Sequence, residues 1–477
     1  MGFLPTLLIS LVITLCFETT TILIVCVAVL TLLFVIFKKQ IFISAVLGIT
    51  IGLCIITFEC NPKYGSLAHL LNKPFDAQLL IVETDYQPDK NNRAVCKIVN
   101  KDNHKVVVYF YGETLPEIND LVKVKNFKLK SPADSPPKYS YYDLNLKSRG
   151  IRYTAFASEK YYKVIAKNQG RFPAKEARTF NCFLEKKIQS TFQNERTSAF
   201  LSGLLLGNKD KFSEEDYNAL KISGSVHIVS VSGFHVMLFL SLLGSLLSKL
   251  PKVSSDIITS LFLLFLILVT GCTPSVIRAS VMVIIAILIS YISRDRNAES
   301  ALCIVALFLI ISNRYIIHNA SFVLSFAATY GIIKSCEALN HFAEFVPSII
   351  RTSACTCICA QIGVFPAMMY YFGSISMYSL VPNIIISFMA PVLFILTPVT
   401  LLTELKPLIL ICDLLCNILF DVVHFFAKMP FSTFSYEFGT VSLLIITVIC
   451  YLILNLIFEL YIKHKRKIMK GALLWKQ

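Results

Sequence analysis

Charge is scarce in this chain. Only 16% of its 477 residues are Asp, Glu, Lys or Arg, and 55% are apolar; soluble domains carry about 25% charged residues. With a mean hydropathy of +0.66, an ordinary soluble globule is excluded. No Lys or Arg precedes Lys38, so the basic start of a cleavable signal peptide is missing. The eight histidines are scattered, with no His-x-His-x-Asp-His cluster, which argues against a two-metal hydrolytic centre of that type. No Gly-x-x-x-x-Gly-Lys-Ser/Thr phosphate loop occurs, so the chain brings no nucleotide-driven motor of that kind. Acidic residues are the minority sign, 30 against 45 Lys plus Arg.

What the chain has in abundance is long apolar runs. About 20 helical residues cross a bilayer core. Three candidate spans come first, near 3–17, 20–37 and 41–58, and nine follow a polar region. Those nine lie near 226–247, 256–272, 275–292, 299–312, 320–338, 349–371, 378–402, 407–427 and 440–461. The expectation is a mainly α polytopic membrane protein with about twelve transmembrane helices and an inserted domain at 60–180. Counted by the positive-inside rule, Lys38 and Lys39, Lys249 and Lys252, Arg294 and Arg296, the end of its span at Lys334, and the tail from Lys463 to Lys467 all fall inside. Arg314 and Lys428 fall outside as isolated exceptions. Both termini are then expected in the cytoplasm and residues 60–195 outside, with 463–477 a basic tail.

Most of the fifteen cysteines lie in apolar segments, where cysteine behaves as a small hydrophobe. Core packing is therefore expected for Cys355, Cys357, Cys359, Cys412 and Cys416, and no metal site. Two of Cys60, Cys96 and Cys182, in the polar region, could pair if it is oxidising.

The inserted domain reads as a small OB-like β-barrel. Period-2 stretches rich in Val, Ile and Tyr at 76–84, 94–100, 105–112, 121–130, 150–157 and 161–166 are candidate strands. Five or six short strands fit such a barrel, a fold that often binds single-stranded nucleic acid. Residues 61–195 hold 23 Lys plus Arg against 14 Asp plus Glu, a net +9 of the chain's +15. Lys123, Lys125, Lys128 and Lys130 crowd one strand, and Tyr109 and Tyr111 share a face of another. Basic grooves with aromatic platforms suit single strands; the alternative is a solubilising face beside an anionic membrane.

Polar residues at membrane depth are costly and mark function or inter-helix bonding. Ser230, Ser232, Gly233 and His235 form a polar break at the mouth of an apolar segment, with His227 eight residues before His235 and on its face if the helix is continuous. Ser213 with Asp216 reads as a capping box. Thr273-Pro274 opens a helix bearing Arg278 one turn in, an anion-ready end whose arginine otherwise snorkels or pairs. Ser321, Ser325 and Thr329 form a hydroxyl stripe, and Asp413, Asn417, Asp421 and His424 a second polar stripe. The latter is either a proton relay or a set of inter-helix bonds. Gln361 and Asn383 add isolated polar groups. A Ser232–His235 pair could also act as nucleophile and base, although no third orienting group is near in sequence.

Several of these stretches, in order, resemble the ComEC family of competence proteins. Three leading spans precede Ser135-Pro136-Pro137…Tyr141-Tyr142-Asp143-Leu144 and Arg149-Gly150-Ile151, a degraded form of the family's Asn-Pro-Gly-x-Phe-Asp-Tyr…Gly-Ile segment. Leu204-Leu205-Leu206-Gly207, Ser230 to Val236, Thr270-Gly271…Pro274 to Ala279 and Phe322 to Phe326 follow. Ala360-Gln361…Pro366…Phe372-Gly373 and Ser379…Pro382-Asn383 complete the set, and the family's Ser-Gly-Leu-His appears as Ser232-Gly233-Phe234-His235.

The resemblance implies an inner-membrane channel, residues 181–462, importing single-stranded DNA during natural transformation across the bacterial cytoplasmic membrane. The β domain would receive DNA, and Ser230, Ser232, Gly233, His235, His227, Arg278, Gln361 and Asn383 would line the path. Many relatives carry a metallo-β-lactamase-like domain thought to degrade the other strand; its histidine cluster is lacking here, so a nuclease, if one is needed, would be a separate protein. The resemblance further implies no cofactor, no catalytic residues, an external DNA-receptor protein and a cytoplasmic helicase-like motor. The competing expectations are a proton-coupled transporter of another solute, through Asp413, Asp421 and His424, and an intramembrane Ser/His hydrolase.

Overall fold

In the computed structural model, the residues described are 67–85, 92–99, 104–112, 115–131, 140–167, 169, 172–208, 211–229, 233–271, 273–291, 298–436 and 440–474. The three leading spans expected at 3–17, 20–37 and 41–58 lie outside them. The chain divides into two compact units, residues 1–179 with 303–319, and residues 180–302 with 320–477.

The first unit contains strands β1 (Pro74–Asp85), β2 (Asn92–Ile98), β3 (Lys105–Tyr111), β4 (Leu121–Lys130), β5 (Ile151–Ser158) and β6 (Tyr162–Ala166), with helix α1 (Ser140–Ser148) before β5. Their order is β1-β2-β3-β5-β4, and β4 pairs back to β1. Five strands therefore close a barrel, and β6 adds to β4. The β3–β5 pairing is parallel and the other pairings are antiparallel. This is the OB-like barrel that the alternating pattern predicts. Alternate residues such as Leu79, Ile81, Val106, Phe110, Val122 and Phe127 point inward and are fully buried, each large side chain contributing about 1.5–3 kcal/mol. Cys96 is among them, a free thiol pushed up by burial, so it takes no part in a disulfide; Cys182 is also free, and Cys60 lies outside the described residues.

On the outer surface α1 covers part of the sheet, with Leu146 packed against Val95, Val107 and Ile151. Its end is held by the turn 313–319. Asn313 Nδ2 donates to the carbonyls of Lys147 (3.0 Å) and Ser148 (2.8 Å), and Asn319 Nδ2 donates to Ser148 Oγ (3.1 Å). The Lys147 ammonium sits over the Tyr315 ring at 5.5 Å.

The second unit is helical: α2 (Ala174–Thr191), α3 (Glu195–Leu206), α4 (Glu214–Ile222), α5 (Gly233–Leu247), α6 (Lys252–Val269) and α7 (Pro274–Tyr291) come first. After α8 (Ala298–Ser312) follow α9 (Ala320–Phe342), α10 (Ser348–Phe372), α11 (Leu380–Thr403), α12 (Lys406–Ala427) and α13 (Thr440–Leu474). Short strands β7 (Ser374–Ser376) and β8 (Thr433–Ser435) pair antiparallel, tying the loop after α10 to that after α12. Among the described residues six helices are long and apolar enough to cross a membrane, and Gly233–Leu247, Pro274–Leu288 and Ala298–Ser312 are shorter apolar helices. Thus each of the nine later expected spans has an apolar helix, but three fall short of bilayer length.

Local chemistry sets the ends. Asn194 accepts from the amides of Arg196 and Thr197 to start α3, and Gly207 at φ 80 closes it, a left-handed cap that glycine adopts without strain. Helices α9 and α10 meet at glycines: a Cβ on Gly331 would lie 2.3 Å from the Cys359 carbonyl oxygen, and one on Gly363 2.4 Å from that of Ala327. Such small residues let two backbones touch where no hydrophobic effect drives association.

From residue 180 to 302 the chain packs with the helical unit. Helix α2 is amphipathic, burying Ile188, with Phe192 just beyond it, in the core formed with α11 and α12, and its Lys187 pairs with Glu404. Glu404 lies 21 residues beyond Asn383, about 31 Å along α11. Helix α2 thus keeps a polar side, while its apolar side belongs to the helical core.

Candidate functional site

The span expected at 226–247 is broken. A 3₁₀ turn at Val226–Ile228 follows α4, Gly224 takes φ 75, and α5 starts only at Gly233. His227 and His235 therefore do not share one helix face. His227 is exposed, its Nδ1 at 3.3 Å from the Gly224 carbonyl. His235 is fully buried, bonded to the Ile228 backbone and edge-on to Phe234 and Phe394. Its Nε2 is buried with no hydrogen-bond partner among the described residues. Ser230 and Ser232 lie outside the described residues.

Two polar groups border this turn. In the first, Ser225 Oγ donates to Asn383 Oδ1 (3.0 Å), Asn383 Nδ2 donates to the Gly224 carbonyl (3.5 Å), and Gln361 Nε2 donates to Ser379 Oγ (2.9 Å). Gly224 and Ser379 are in contact, for a Cβ on Gly224 would be 2.6 Å from that of Ser379. In the second, Arg278 is 8% exposed, and its Nε donates to Ser325 Oγ at 2.8 Å. Its guanidinium lies near Met282 Sδ and over the Phe326 ring, and a Cβ on Gly233 would be 2.8 Å from its terminal nitrogen. Ser275 and Ser321 meet alongside at 3.3 Å. Among the described residues no carboxylate pairs with Arg278. The expected hydroxyl stripe is thus the face that α9 presents to α7. Thr273, expected as a helix cap, keeps its hydroxyl buried with no partner among the described residues.

Depth follows from the register along α11. Ser225 meets Asn383, whereas His235 meets Phe394, eleven residues on, about 16 Å of helical rise. The start of α5, and Arg278 beside it, are recessed from the end of α11. Helix α5 has 15 residues, about 22 Å against roughly 30 Å of hydrocarbon. Helix α5 thus starts level with the middle of α11, with the buried Arg278 guanidinium close to its first residue, Gly233.

The second stripe does not act as one surface. His424 Nε2 bonds Asp216 Oδ1 of α4 at 2.7 Å, and Arg196 Nε donates to Asp216 Oδ2 at 3.0 Å. Asp413 and Asn417 are half-buried and Asp421 is exposed. Ser213 caps the Asp216 amide at 3.1 Å, so the residue expected only to complete a capping box also joins α3, α4 and α12. Burial alone would raise the Asp216 carboxyl, but side-chain bonds from His424, Arg196 and Ser213 and the Arg196 charge hold it below its ordinary value. No sequence spacing links Asp216 to His424, 208 positions away.

In the barrel, all four predicted lysines of β4 are exposed, because of a bulge. Phe75 pairs with Phe127 and Ala77 with Val124, so β4 has one residue more than β1. Asn126 absorbs it at φ 58, and its amide donates to Asp76 Oδ1. Without the bulge Lys128 and Lys130 would turn inward. Lys123 also faces Lys163 of β6, a like-charged pair that is unfavourable unless an anion lies nearby. Tyr109 and Tyr111 flank Phe156 of β5 in near-parallel stacks, at 5.3 Å and 6.3 Å between centroids. Pattern reading missed Phe156 and Lys163, because cross-strand neighbours depend on topology.

The comparisons with known proteins agree with this architecture. The chain is similar to ComE operon protein 3 of Bacillus subtilis (strain 168), 26% identical over 191 residues, which is 40% of this chain and 24% of that protein. The match thus spans about a quarter of the relative's length. No solved structure matches. The model of the family described as Competence protein matches residues 204–461, more than half of the sequence and the whole helical region holding the broken α5, Arg278, Gln361 and Asn383. The chain belongs to the ComEC family of competence proteins.

Proposed function

We propose that this protein is a channel, not an enzyme, that imports single-stranded DNA across the bacterial cytoplasmic membrane, its barrel receiving the strand outside. Family membership supports a part in DNA uptake for competence. The observation that carries the finer reading is Arg278, nine-tenths buried and bonded to the Ser325 hydroxyl, with no carboxylate partner among the described residues. A buried guanidinium needs an anion or water, and a passing phosphodiester supplies the anion. The orientation is supported by loop pairing: β7–β8, Ser225–Asn383 and Ser275–Ser321 each join loops or helix ends that the charge count puts outside. The turn around Arg314, an exception to that count, is the one that holds α1 of the barrel unit. An external DNA receptor, a cytoplasmic helicase-like motor and a separate nuclease complete the proposed machinery. A proton-coupled transporter draws less support, since His424 is bound to Asp216 and Asp421 is exposed. A Ser/His hydrolase draws no support from the described residues, since Ser232 lies outside them.

The test is entry of fluorescent DNA into the cytoplasm of a competent host lacking the gene, complemented with wild type, Arg278→Ala or Arg278→Lys at equal protein levels. Wild type restores entry, Arg278→Ala reduces it at least about tenfold, as expected for losing a charged contact of about 1.5–3 kcal/mol, and Arg278→Lys restores part of it. Normal entry with Arg278→Ala would overturn the proposed path, and normal entry without the gene the whole reading.

A further inference from the structure

We infer that the outer face of β3, β5 and β4 is a stacking lane in which the bases of a single DNA strand continue the Tyr109–Phe156–Tyr111 ring stack while its phosphates follow the β4 lysines. The inference rests on the DNA-import reading and adds a binding mode to it.

Three observations carry it. Phe156 is 48% exposed and Tyr111 46% exposed, although apolar rings on a barrel's outer surface gain nothing from water. They lean on each other and on Tyr109 with only 22° and 23° between planes, the offset stack that a nucleobase extends. Lys130 Nζ lies 5.1 Å over the Phe156 ring, so the first cation of the basic row touches the platform. From there Lys128, Lys125 and Lys123 continue along one face, with Lys163 opposite Lys123.

The arrangement also has a direction. Gly112, directly after Tyr111, leaves no room for a side chain, because a Cβ there would be 2.5 Å from Glu159 Oε2. The Glu159 carboxylate therefore stands at the Tyr111 end, while the β4 side carries the lysines that attract phosphate. From Lys123 to Lys130 the strand runs about 23 Å, room for roughly four to six nucleotides, within the range of about 4–16 per OB fold. Duplex DNA keeps its base faces stacked inside and cannot use the platform.

The test measures binding by the full-length protein in nanodiscs, using fluorescence anisotropy with a labelled 12-nucleotide oligo-dT, an abasic strand of equal length and charge, and a duplex competitor. Wild type prefers oligo-dT to the abasic strand by about tenfold, the scale of one base–aromatic stack. Phe156→Ala abolishes the preference while leaving abasic binding unchanged, and Phe156→Trp restores it. Lys128→Gln with Lys130→Gln weakens both strands alike and flattens the salt dependence. Thermal melting confirms that the exposed-site variants remain folded. Equal binding of the two strands by wild type, a preference that survives Phe156→Ala, or equal competition by duplex would each overturn the lane. None of these outcomes touches the import reading, which stands or falls on entry with Arg278→Ala.

Discussion

At the scale of single residues, Asp216 shows how much one carboxylate can join. It is 5% exposed, capped by Ser213 and bonded by Arg196 and His424. Asp216→Asn removes the charge but not the shape, and is expected to cost about 2 kcal/mol, as for a hydrogen-bonded charged group whose Arg196 partner is partly exposed. The measurement is the thermal midpoint of purified protein in detergent. Because the folded carboxyl lies below its ordinary 3.8, its contribution is complete above that pH and lost as pH falls through the lowered value. The gap between wild type and Asp216→Asn should therefore persist into mildly acid pH and be lost only in strong acid. A gap that closes near neutrality would assign the effect to another group. The sequence marked both Asp216 and His424 as polar residues of interest. It could not join them, since nothing local encodes a contact between α4 and α12.

Among elements, legibility followed the range of the interactions. All six strands of the barrel unit and the nine apolar helices could be read from periodicity, which is a local property. The polar break was legible in Ser230, Ser232, Gly233 and His235, but the start of α5 was not, for a run such as 226–247 satisfies a hydropathy window whether or not its first turns are helical. Asn126 is a subtler case: the lysines looked crowded on one strand, but only the bulge lets positions 125 and 128 share a face. The α9–α10 crossing offers a direct test of packing at this scale. Gly331→Ala should lower stability by about 1–3 kcal/mol through overpacking. Gly331→Ala with Gly363→Ala should cost less than the sum, since both open one crossing. Detergent thermal melts of the three variants decide this, and unchanged midpoints would mean the helices are not pressed together there.

For the whole molecule, sidedness is the property on which the functional reading depends. In a cysteine-free background, Cys182 alone, exposed on α2, reports one end of the helical unit, and Lys252→Cys reports the α5–α6 loop. A membrane-impermeant maleimide is expected to label Cys182 in intact cells, and Lys252→Cys only after permeabilisation. The reverse pattern would invert the topology and place the polar turn on the cytoplasmic side. The brevity of α5 then has an electrical consequence. A bacterial membrane is negative inside, and an imported phosphate moves against about 2.3 kcal/mol per charge for each 100 mV. A strand passing beside a helix about 22 Å long holds fewer phosphates in the field at once than one threading the full hydrocarbon thickness. The field across a shorter layer is correspondingly steeper, so the work per phosphate is unchanged; what falls is the number of phosphates the path must hydrate or pair at one time.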